Sequence, residues 1–182
     1  MTLTGSLKND FFALAAAIGV LGVFLGLGNL FLALQLPVFI VVIIAAFSKM
    51  NGGGRGFIPG NIEFGGLTFI AGTYVIKMAA YVGAMMGSSM FGVLAGFAVA
   101  FVLLHFAEII GAMFMQLVSG IVASMGLAPQ YSLLIFIVVL FALFFLLGAI
   151  SPVLSTAIGL CIWGWFAMQR AGQLTGWNDT QN

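Results

Sequence analysis

The sequence predicts an all-α protein that crosses a lipid bilayer several times, with about six spans arranged in hairpins and a short polar C-terminal tail. Three observations predict it. Hydrophobic residues make up 63% of the 182 residues and charged residues only 5%, whereas a soluble domain is about 25% charged. Mean hydropathy is +1.27. No stretch alternates apolar and polar residues as the strands of a membrane barrel must, so each segment has to satisfy its own backbone hydrogen bonds as a helix. Nine charged side chains, five basic and four acidic, could not clothe a water-facing surface. Lipid is therefore the main solvent, and the helices must associate by close packing and polar contacts rather than by escape from water.

The elements follow in order. A helical span takes about 20 apolar residues. The first uncharged run, Phe11 to Phe47, is too long for one span. Gly26, Gly28 and Asn29 offer a turn within it, and Gln35 with Pro37 a second breakpoint. The reading is two short spans, 11–28 and 31–47; a single helix kinked at Pro37 is the alternative. Asp10 and the lack of a cleavage pattern argue that this N-terminal segment is a retained span rather than a leader. Ser48 to Glu63 is the one convincing internal loop, carrying Lys49, Arg55, Pro59 and three consecutive glycines, Gly52 to Gly54. Glycine and proline clusters mark loops.

Further spans are predicted over 64–83, 90–110, 131–148 and 152–169. Gly87, Ser88 and Ser89 give a turn between the first two, and Ser151 with Pro152 gives another. Residues 111–126 are open between extending the fourth helix, lying in the interface and re-entering the membrane. No repeat and no linker appears, so 1–182 reads as one transmembrane domain. Lys8, Lys49, Arg55 and Arg170 lie outside the spans. The positive-inside rule puts them, and both termini, on the cytoplasmic side, with a bacterial inner membrane as the expected location.

Three ionisable residues fall inside spans: Lys77, His105 and Glu108. A charge at the centre of a membrane helix costs about 2.5–3.5 kcal/mol on insertion scales, so these positions mark either a function or buried polar contacts. His105 and Glu108, three apart, share a helix face. A hairpin turning at 87–89 would leave Lys77 and Glu108 about 13 Å apart in depth at about 1.5 Å per residue. Glu108 is thus expected to find a partner on another helix or subunit. One reading makes the three an ion or proton pathway. The other has Glu108 and His105 reach the headgroups while Lys77 snorkels.

Seven methionines (Met78, Met85, Met86, Met90, Met113, Met115 and Met125) around His105 raise a copper site, against the plain reading that methionine fills helix interfaces. One cysteine, Cys161, allows no intrachain disulfide. No metal or cofactor is assigned, and the net charge of +1 shows no nucleic-acid footprint.

Of the 25 glycines, three pairs at a spacing of four suit close helix packing: Gly22 with Gly26, Gly83 with Gly87, and Gly92 with Gly96. The expected partners are the bilayer and either other membrane subunits or copies of this chain. With so little sequence outside the membrane, the expected role is a non-catalytic subunit of a larger assembly, such as a secretion, conjugation or translocation complex. An autonomous channel or proton-coupled transporter using Lys77, His105 and Glu108 is the alternative. An intramembrane metal-binding protein is the distant one.

Overall fold

The computed structural model describes residues 5–51, 59–126 and 129–179. Its elements are seven helices, with no strand among the described residues: α1 Leu7–Phe24, α2 Gly28–Asn51, α3 Gly60–Met85, α4 Met90–His105, α5 Ala107–Ser124, α6 Pro129–Ile150 and α7 Pro152–Asp179. Five of them are long and apolar enough to cross a membrane.

The α1–α2 hairpin turns at Gly26, whose left-handed φ of +71° favours glycine for want of a Cβ. The helix α2 then runs unbroken through Pro37, where the sequence suggested a breakpoint. Proline removes one backbone hydrogen bond, and a helix surrounded by lipid and other helices accommodates that loss without unwinding. At the α3–α4 turn, Ser88 donates its backbone N–H to Gly83 O at 2.7 Å, closing the end of α3. The Ser89 hydroxyl accepts from Gly92 N–H at 3.1 Å, capping the start of α4.

The central element is α3, which packs on α1, α2, α4 and α7. Its side chains Ile70, Val75 and Met78 are buried with Ala71 and Ala79. Two threonines in it are buried, and each satisfies its hydroxyl on its own helix: Thr68 donates to Phe64 O at 2.8 Å and Thr73 to Ile70 O at 2.6 Å. A hydroxyl handled in this way costs little in an apolar interior.

Close approach at the interfaces depends on glycine. A Cβ at Gly96 would lie 2.6 Å from the Ala79 Cα, so α3 and α4 meet nearly backbone to backbone. Gly83 and Gly92 face each other across the same interface, and Gly22 lies against Ile76. Of the six glycines expected to pack, these four do. A Cβ at Gly26 or Gly87 would meet nothing within 4 Å, and both residues sit at positive φ in turns.

Between α4 and α5 the chain breaks at Phe106 alone. At 16 residues, α4 is about 24 Å long, short of a hydrocarbon core of about 30 Å. It packs chiefly on α3, while α5 packs on α7 and the two barely touch each other. Phe106 therefore makes a bend rather than a hairpin. Residues 111–126, ambiguous in sequence, lie mostly in α5, which is itself one of the five helices long and apolar enough to cross.

The last two helices form a tight hairpin about Ser151 and Pro152. Gly148 faces Ser155 across it, and Phe39 of α2 touches both Phe141 and Trp163. The sequence placed the end of the last span near Gln169 with a polar tail beyond. The helix itself continues beyond that point, to Asp179. Ala171 is buried and Leu174 packs on the core, so tertiary contacts carry the helix past its apolar stretch.

Candidate functional site

The charged residues serve helix ends first. Asp10, Glu63 and Glu108 each stand in the first turn of a helix, α1, α3 and α5 respectively, where the helix dipole favours a negative charge. His105 closes α4, where that dipole favours a positive one. The spacing of His105 and Glu108 thus brackets the bend at Phe106, and the His105 ring stands edge-on to Phe106.

Two ion pairs tie separate helices together. Lys8 of α1 donates to Glu108 of α5 at 2.9 Å, with both side chains about half exposed. Arg170 of α7 lies 2.9 Å from Glu63 of α3, with both largely buried. The start of α3 and the late part of α7 therefore share one end of the bundle. Gly60 leaves room for the guanidinium. Lys8, Glu63 and Arg170 are site residues that the sequence reading missed. The available signal was an acid within four residues of a helix start and a base late in a helix.

The pathway residues acquire different neighbours. Glu108 meets Lys8, His105 meets Phe106, and the Lys77 ammonium lies 4.6 Å from the centre of the Tyr74 ring on its own helix. The methionines scatter as well. Met78 and Met115 are buried, whereas Met85, Met86, Met90, Met113 and Met125 are on the outer surface. Among the described residues no group of three or more His, Cys, Asp or Glu is placed to hold a metal ion. Cys161 is buried, its thiol 3.7 Å from Leu103 O. Arg55 and Gly52 to Gly54 lie outside the described residues, as do the side chains of Lys49 and Trp177.

Two surfaces stand out. The first is on α5, which buries Ala107, Gly111, Met115, Val118 and Val122 against the bundle. Beside that stripe, one residue on at each step, run Glu108, Ala112, Gln116, Ser119 and Ala123. All but half-buried Ala112 are exposed. Gly120 adjoins them with nothing near its Cβ position. The same helix also exposes Ile109, Met113 and Leu117, while α2 exposes Leu34, Leu36, Ile40 and Ile44, and α6 exposes Val138, Phe145, Leu146 and Ile150.

The second is a cavity of about 260 Å³ among α2, α3, α6 and α7. Its walls include Phe39, Tyr74, Phe141 and Trp163, and Gln35 is the one amide among them. Gln35 and Trp163 both lie within hydrogen-bonding reach of the Tyr74 hydroxyl.

Fold and surface define a polytopic α-helical membrane protein. No family model, no curated protein and no solved structure matches the chain.

Proposed function

We propose that this protein is a non-catalytic, multi-spanning subunit of a larger membrane assembly, docked to a neighbouring membrane helix along α5. The observation that carries the reading is the exposed stripe from Glu108 to Ala123. An amide facing hydrocarbon without a partner costs about 1–3 kcal/mol by mutational measure, and Gln116 is halfway along α5. Small residues at Ala112, Ser119, Gly120 and Ala123 let a second backbone approach closely, and Gln116 and Ser119 can hydrogen-bond across the contact. On α2 and α6 the exposed faces are mainly Leu, Ile, Val and Phe.

By the positive-inside rule, Lys8 and Arg170 support a reading with both termini cytoplasmic, in what is proposed to be a bacterial inner membrane. The channel or transporter reading has less support, because Lys77, His105 and Glu108 have separate neighbours.

Native mass spectrometry of protein extracted gently from its own membrane tests the proposal. Wild type should emerge with different polypeptides bound, and Gly120→Leu should emerge without them while keeping the fold. Wild type emerging alone would overturn the proposal. A closed homo-oligomer would also overturn it, and would make the α5 stripe a candidate pore lining, to be tested by ion flux in liposomes.

A further inference from the structure

The recess among α2, α3, α6 and α7 is mostly apolar, with Gln35, Tyr74 and Trp163 as the polar side chains in its walls. It opens sideways: at its rim Leu36 of α2 and Phe141 of α6 are both exposed on the outer surface. Entry is therefore from the bilayer. An apolar cavity of about 150 Å³ already holds benzene, so about 260 Å³ accommodates a larger substituted ring. The walls are aromatic, with Phe39 nearly perpendicular to Phe141 and Trp163, at 84° and 89°.

The polar groups already meet one another: the Trp163 indole N–H and the Gln35 amide lie within hydrogen-bonding reach of the Tyr74 hydroxyl. When both donate to its oxygen, the Tyr74 O–H and the second Gln35 N–H remain to donate. Such a pair suits a ligand that brings an acceptor. Depth narrows the class further. Tyr74 lies near the middle of α3, and the middle of a spanning helix sits in the hydrocarbon core. A phosphate or zwitterionic head is too costly to desolvate there, whereas a ring carbonyl is not. A bare acyl chain would make no use of the amide or the hydroxyl.

We propose that this cavity binds a membrane-soluble amphiphile with a planar, carbonyl-bearing ring, of the quinone class, whose tail stays in the lipid. The carbonyl accepts from Tyr74 and Gln35. The ring packs against Phe39 and Phe141.

The test uses the full chain in phosphatidylcholine nanodiscs, with decylubiquinone as the probe and decylbenzene as its carbonyl-free counterpart. Bound probe is measured against empty discs. Decylubiquinone should show a saturable excess, and decylbenzene should bind at least about tenfold more weakly, as expected of a site built around hydrogen bonds. Tyr74→Phe and Gln35→Leu should each weaken quinone binding about three- to tenfold, one hydrogen bond's worth. No excess over empty discs would overturn the proposal, as would equal binding of the two probes. The two-probe comparison uses wild type alone, so it stands even if a variant fails to fold. Folded variants that bind the quinone as wild type does would overturn the role given to Tyr74 and Gln35.

Discussion

The Nε of Arg170, in α7, lies 2.9 Å from Oε2 of Glu63, in the first turn of α3. The Nε–H is buried without a well-aligned hydrogen bond, so the contact is mainly one of charge; Nη1 of the same guanidinium donates to Gln173 at 2.8 Å. Removing one member of a largely buried pair takes that charge compensation from the other. Glu63→Gln or Arg170→Met should each cost about 3 kcal/mol, the low end for such pairs because both keep some exposure. The double variant Glu63→Leu with Arg170→Met should be less destabilised than either single one. Unfolding in mild detergent checks this, and a double variant worse than both would show the pair to be a net stabiliser.

Lys8 and Glu108 also lie 2.9 Å apart but remain about half exposed. Solvent and headgroups screen such a pair, and Lys8→Met should cost under about 1 kcal/mol. The loss should shrink further as salt is raised, which an unfolding series in salt would show.

Lys77 rests on the Tyr74 ring. A contact of this kind contributes about 0.5–2 kcal/mol, so Lys77→Met should be mildly destabilising and should leave the native assembly intact. If Lys77→Met and Glu108→Gln each abolished activity while folding normally, the pathway reading would return.

Two glycines separate folding from docking. A Cβ at Gly96 would meet the Ala79 backbone, so Gly96→Val should cost about 1–3 kcal/mol through overpacking. Gly120 has open space around it, and Gly120→Leu should leave the midpoint of the isolated protein unchanged or raise it, since glycine disfavours a helix by about 1 kcal/mol. A lowered midpoint for Gly120→Leu would mean that α5 packs otherwise than described.

The Cys161 thiol is buried between α4 and α7, so the folded wild type should resist a membrane-permeant maleimide. Ser119→Cys should label readily in the isolated protein and be shielded in the native assembly. Equal labelling in both settings would argue that nothing docks along α5.

Much of the fold is fixed by residue types alone. Few charges and long apolar runs leave only membrane helices, because backbone groups in lipid have no other partners. Gly26, and Gly87 with Ser88 and Ser89, mark their turns by the backbone freedom and capping chemistry of those residues. Other features were decided in three dimensions. Pro37 could be read as a break or as helix; in the structure α2 runs through it, with Pro37 itself on the exposed side. The sequence at Phe106 carries no turn signal; the bend follows from α4 lying on α3 while α5 lies on α7. Glu108 carries the same carboxylate whether it serves a proton path or an ion pair, and its partner Lys8 is a hundred residues away. Gln35, Tyr74 and Trp163 come from three helices and meet only when those helices pack. A sequence records what each residue can do locally, whereas pairing across helices depends on depth and facing, which tertiary packing alone sets.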